Sequence, residues 1–285
     1  MGDVNSRLRG ALIFSTLMGT LVLHGYSADL PSSSPSLDHG FNLLYKLEFD
    51  QAHEVFNSWE TAHAGNALGA ACDAAGTLFA EFNRLGVLES QFYENDRTFA
   101  DRKKLSPDPG LRERFNTTIA QAQALARARL AQDPKDRDAL FAMTLASGLE
   151  ADYAALIEKR NTMSLRYTRA ANDWAQQLLQ VDPQAYDAYL ATGFSKYIVG
   201  SMSAPVRWLV RLGGITGDKR AGISELKLTA DHGRYLAPFA RILLAIACVR
   251  DKNKAEAKAI LVSLRKEFPE NPLFEREIER LDNGN

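Results

Sequence analysis

The feature that most constrains how this chain can fold is a repeated helix break. Asp133-Pro134 is followed by Asp138-Ala139-Leu140; 49 residues on, from 133 to 182, Asp182-Pro183 is followed by Asp187-Ala188-Tyr189. Each copy follows a helical run rich in Leu and Gln, and each opens another helix. Proline has no amide donor and biases the residue before it away from helical geometry, so each Asp-Pro pair ends a helix. Self-similarity at a fixed spacing marks stacked helical units, none of which can bury its apolar face without a neighbour.

Helical periodicity runs through nearly all of the remaining chain. Phe41, Leu44 and Tyr45 belong to a first amphipathic helix, and Phe56 and Trp59 lie on one face of a second that starts at Phe49. From Asn66 to Leu85 the chain is rich in Ala and Gly, with Leu78, Phe79 and Phe82 at helical spacing. Small residues there let helices approach closely. A polar helix is expected over 89–104, and Ser106-Pro107-Asp108-Pro109-Gly110 then breaks the chain. Further helices are expected over 111–132, 135–148, 152–180, 184–200, 217–232, 235–250, 253–267 and 273–281. No run of alternating β-branched residues offers a sheet. The spacing predicts an all-α chain, a right-handed α-solenoid of antiparallel helix pairs.

At 285 residues the chain can bury a sizeable core. Its formal net charge of −1 excludes a nucleic-acid footprint spread over the whole chain, which needs a basic face. Arg7 and Arg9 precede an apolar stretch from Ala11 to Leu23, and Tyr26-Ser27-Ala28 puts a small residue before Asp29. That stretch fits the core of a signal peptide and falls short of the roughly 20 residues that span a bilayer. A buried or membrane-dipping first helix is the other reading. Residues 1–28 are therefore expected to be a signal peptide, 29–37 a spacer, and 38–285 the helical-repeat domain, with a sub-boundary near 105–110. Export to the periplasm or envelope follows, or N-terminal membrane anchoring if the segment is kept. Cys72 and Cys248 both sit in Ala- and Leu-rich helical contexts, where a thiol acts as a small hydrophobe; pairing in an oxidising compartment is the alternative.

Pro238 to Pro269 resembles a tetratricopeptide repeat, with Ala245, Ala257, Leu261, Leu264 and Pro269 at matching intervals. Gly40, Ala52, Phe56 and Trp59 fit the same spacing near the N-terminus. The middle of the chain departs from it, because a spacing of 49 exceeds the roughly 34 residues of that repeat. Pro205, Leu212-Gly213, Gly217-Asp218-Lys219-Arg220, Gly222 and Leu226 resemble a segment of the inclusion-body clearance family of tetratricopeptide proteins. These resemblances imply a scaffold that binds other molecules and performs no catalysis.

Signals for chemistry are thin. His53-Glu54-Val55-Phe56-Asn57 has the first half of a zinc-protease helix, but Asn57 stands where the second imidazole is needed. His39, His53 and His63 are close in sequence yet share no helix face. Gly213 to Arg220 lacks the glycine spacing and the Ser or Thr of a phosphate loop, and Asn116-Thr117-Thr118 is a glycosylation sequon inside a helix. With no nucleophile, base and orienting group in view, no enzyme activity, cofactor or metal is expected.

Candidate binding residues fall in two places. Tyr186, Tyr189 and Tyr197, with Phe194, form an aromatic ladder that either lines the inner groove of the solenoid or packs between its helices. Lys196 to Arg220 carries a local net charge of +4, with Trp208 between Arg207 and Arg211. An amphipathic basic segment of this kind suits an anionic membrane surface or an acidic peptide, unless its apolar side is ordinary core. The expected partner is a protein or peptide. The alternative is a peripheral membrane or envelope-assembly component working through Arg207 and Arg211.

Overall fold

Side-chain caps and prolines set where most helices begin. The computed structural model describes residues 36–88, 104–202 and 216–283. Among the described residues there are eleven α-helices and no strand: α1 Leu37–Tyr45, α2 Phe49–Ala62, α3 Ala67–Arg84, α4 Pro109–Gln132, α5 Arg137–Asp152, α6 Asn161–Val181, α7 Tyr189–Ser201, α8 Lys219–His232, α9 Ala237–Arg250, α10 Lys254–Glu267 and α11 Pro272–Asp282. Ser36, Asn66, Asp108, Asp136, Asp218, Asn253 and Asn271 each accept a backbone N–H at the start of a helix, and so satisfy amides that have no intrahelical partner. The chain is all-α, as its periodicity indicates.

Two types of turn recur between helices among the described residues. Leading out of α1, α3 and α9, a residue in left-handed geometry (Leu47, Gly86, Lys252) is followed by an N–H that reaches back five residues. These bonds run from Glu48 to Leu43 (2.9 Å), Val87 to Phe82 (2.8 Å) and Asn253 to Cys248 (2.8 Å), the pattern of a Schellman stop. Out of α2, α4, α6 and α10, the residue just past the helix (His63, Asp133, Asp182, Phe268) donates to the carbonyl four back. It then accepts from the amide three ahead, at 3.0–3.1 Å in all four. The two Asp-Pro breaks are thus members of a set of four. In both of them the aspartate Oδ1 also accepts the amide two residues on, at 3.0 Å from Lys135 and 2.9 Å from Gln184.

Two boundaries differ from the sequence expectation. The helix expected over 152–180 is interrupted: α5 runs into a π-helical turn, Tyr153–Ile157, and Lys159 takes φ 56° before α6 begins. No glycine or proline marks this break, so periodicity reads through it. The helix expected from 184 opens instead as a 3-10 turn, Tyr186–Ala188, because Ala185 occupies the place where Asp136 caps α5. The polar helix expected over 89–104 and the signal segment 1–28 lie outside the described residues, apart from Lys104.

Each helix packs on the next in sequence from α1 to α11, and α3 packs in addition on α1 and α5. Small residues make the closest crossings. A methyl on Gly40 would overlap the Phe56 ring, and one on Gly222 would come within 2.5 Å of the Tyr197 amide and 2.6 Å of the Gly193 carbonyl. Fourteen of the eighteen residues of α3 are buried, among them Cys72. Arg137–Ile157 is long and apolar enough to cross a membrane, but 67% of its apolar window is buried inside the protein, as in a core helix. Residues 34–285 form one compact unit.

The two ends of that unit meet. Tyr235, just before α9, stacks on Phe41 of α1 (ring centroids 5.2 Å apart) and Phe141 of α5 (6.1 Å), while Phe239 meets Phe79 of α3 edge-on at 5.4 Å. Tyr45 donates to the Tyr235 carbonyl at 2.8 Å, packs on Phe268 at 5.4 Å, and through its own carbonyl accepts from Asn271 at 2.9 Å. Arg234 grips Asp38 through two bonds of 2.8 and 2.6 Å. That guanidinium holds the Asp38 carboxyl below the usual carboxylate range.

Candidate functional site

Tyr186 and Tyr189 come together at the start of α7. Their ring centroids are 6.4 Å apart, and His232 at the end of α8 lies 4.9 Å from the Tyr186 ring. Both tyrosines are partly exposed and His232 is exposed. Val181, 36% exposed, ends the helix that leads into the same turn. Tyr189 donates to the Pro183 carbonyl at 3.3 Å, which holds its ring against the Asp182-Pro183 turn.

Beneath this patch Asp187 ties α7 to the start of α9. Its carboxylate accepts the amides of Arg234 (3.1 Å), Tyr235 (3.2 Å) and Leu236 (2.9 Å). Burial nevertheless raises its pKa above the ordinary carboxylate value, with the three amides opposing the shift. The second aspartate of the repeated sequence thus has a structural task in each copy. Asp138 accepts from Asn66 at 2.8 Å, and Asp187 clamps the chain before α9.

Tyr197 does not join Tyr186 and Tyr189. It is 3% exposed, packed with Leu226, Leu244 and Ala247, and its hydroxyl has no hydrogen-bond partner among the described residues. Core packing between helices is the account that fits this position. Phe194 is half-buried against the same cluster. Arg207, Trp208 and Arg211 lie outside the described residues.

The densest polar cluster lies elsewhere, where α2, α3 and α4 meet. Asp73, 4% exposed on an otherwise apolar stretch of α3, takes His53 Nδ1 of α2 and Arg114 Nη2 of α4 (3.0 Å) on the same oxygen, Oδ1. Asn57, one turn on from His53, places its amide nitrogen 2.8 Å from Nε2. Glu60 of α2 accepts from Gln121 of α4. Burial, with the Glu60 charge adding to it, pushes the Asp73 carboxyl up to about 7. The sequence carried His53 as half of a zinc motif and as one of three neighbouring histidines. Its partner is 20 positions away on the next helix, and the one available signal was a lone Asp in an Ala-rich run.

The three clustered histidines go separate ways. His39 lies in the first turn of α1, where its amide meets Ser36; His53 meets Asp73; His63 stacks on Trp59 with centroids 4.1 Å apart. Among the described residues no three His, Cys, Asp or Glu side chains gather to hold a metal. Both cysteines are free. Cys72 is buried in the main core and Cys248 is half-buried beside the α9–α11 cluster. An open cleft of about 710 Å³ beside the start of α4 is lined by Lys104, Pro107, Arg112, Glu113 and Asn116 among others. Among the described residues that line it there is no cysteine, serine–histidine or paired-carboxylate arrangement of the kind that drives nucleophilic or acid–base chemistry.

Compared with known proteins, the chain matches no family model, no curated protein and no solved structure.

Proposed function

We propose that this chain is a tetratricopeptide-like helical-repeat scaffold, a right-handed solenoid of antiparallel helix pairs that binds a protein or peptide and does no chemistry of its own. The recurrence of two turn types at both ends of the array carries this reading. Left-handed stops at Leu47 and Gly86 alternate with turns closed at His63 and Asp133 over α1–α5, and the same pair recurs as Lys252 and Phe268 over α9–α11. A chain built by repeating one helix–turn–helix unit has this signature, and such arrays work through the surface they present. Export of the mature protein through residues 1–28 belongs to the same proposal.

The patch of Tyr186, Tyr189 and His232 is the surface best suited to a peptide. Aromatic rings offer large contact area at small cost in side-chain entropy, and the hydroxyls add hydrogen-bonding capacity. The inner faces of α1, α3 and α5 are less suited, because Tyr235 and Phe239 already cover their rings.

Photo-cross-linking of the full chain in its native cells tests this. Benzoylphenylalanine replaces Tyr189 in one variant and the exposed Arg166 of α6 in a control. A discrete adduct from position 189 with none from 166 is the expected result. Equal labelling, or none at 189, contradicts the assignment.

A further inference from the structure

We propose that Asp38, Phe41, Phe79 and Phe141 form a second peptide site, which the chain fills with its own residues 234–239 and which opens to a partner peptide carrying an arginine beside a tyrosine. The site is separate from the Tyr186 and Tyr189 patch and shares with that reading only the class of ligand.

Residues 234–239 meet α1, α3 and α5 as a ligand meets a receptor. Phe41 and Phe141, from two different helices, both stack on the Tyr235 ring, at interplanar angles of 25° and 21°. Phe239 meets Phe79 edge-on. The Arg234 guanidinium takes both oxygens of Asp38 and lies 4.9 Å from the Tyr235 ring centroid. Tyr45 donates to the Tyr235 carbonyl at 2.8 Å. Rings and a carboxylate thus receive the side chains while a hydroxyl holds the main chain, the division of labour of a peptide site. Asp187 holds the amides of Arg234, Tyr235 and Leu236 from the other side, so the segment is presented already shaped.

Helix packing makes the contact separable. Of the packings between successive helices, that of α6 on α7 is the least extensive, and it falls at the Asp182-Pro183 break. Beyond it, α9–α11 lean mainly on one another and on α8, and have an apolar cluster of their own with Leu261, Leu264, Phe268 and Phe274. The Arg234–Asp38 pair is open to water, its side chains 66% and 43% exposed, and exposed pairs hold weakly. Elements joined this way open at less free energy than the whole fold. Opening uncovers Tyr235 and Leu236, which pack on the main core, and that cost keeps the site filled at rest. Once open, Asp38 selects a guanidinium and the phenylalanines select a ring.

Fluorescence anisotropy of a labelled peptide with the sequence of residues 233–240 tests the proposal on the full chain. Tethering gives the internal segment a large effective concentration, so the unaltered chain is expected to bind the peptide weakly. Tyr235→Ala removes the internal ring and should tighten binding at least about tenfold, because apparent affinity follows the open fraction. Arg234→Ala should tighten it about threefold, and its exposed position keeps the test usable if Tyr235→Ala does not fold. The same peptide with Arg234→Ser and Tyr235→Ser should bind neither variant. Equal affinity of the unaltered chain and the variants, or of the two peptides, would overturn the proposal. So would a dimer of the unaltered chain that the peptide disperses, because a second copy would then fill the site.

Discussion

At the scale of single residues the fold depends on where a side chain is missing. Gly193 and Gly222 bring the backbones of α7 and α8 into contact, and a methyl on Gly222 meets main-chain atoms that cannot move aside. Gly222→Ala should cost about 1–3 kcal/mol, the usual penalty for overpacking, read as a lower midpoint in urea unfolding. Gly148, in α5, has nothing within 4 Å of where its Cβ would be. Gly148→Ala should therefore stabilise by about 0.5–1 kcal/mol through helix propensity alone. The glycines of 193–222 are visible in the sequence, but their pairing across a crossing is a property of two helices. The same holds for Asp73. A carboxylate in an Ala-rich helix signals a partner without saying which, and His53 is on the preceding helix.

At the scale of elements the turns carry the order. Lys252 adopts φ 61° although it has a Cβ, while Gly86 occupies the matching place after α3 without strain. Left-handed geometry costs an L-residue roughly 1–2 kcal/mol, part of which glycine returns as lost entropy. Lys252→Gly is thus expected to raise stability by about 0.5–1 kcal/mol and Gly86→Ala to lower it by about 1 kcal/mol, both measurable by denaturant unfolding. The breaks at Asp133-Pro134 and Asp182-Pro183 were legible because proline acts locally. The equivalent stop at Phe268 shares the following proline, Pro269, but the one at His63 has none, and there only the backbone bonds reveal the likeness. The π-helical turn at Tyr153–Ile157 left no mark in the sequence, since Ala, Leu and Ile suit an α-helix equally well.

At the scale of the whole unit, its first helix docks on its last hairpin. The contacts that do this, Phe41 with Tyr235 and Tyr45 with Phe268 and Asn271, join residues about 190 to 226 positions apart. Periodicity has no access to such distances, so the all-α class was readable and the meeting of the ends was not. It also decides which surface remains for a partner. Of the tyrosines the sequence singled out, Tyr186 and Tyr189 face partly outward and Tyr197 is enclosed. The most direct test is hydrogen exchange on Tyr45→Phe, which removes only the hydroxyl that donates to the Tyr235 carbonyl. Loss of that bond should lower protection by about 1 kcal/mol in α1 and α9 together. A loss confined to α1 and α2, with α9 unchanged, would contradict the docking of the two ends.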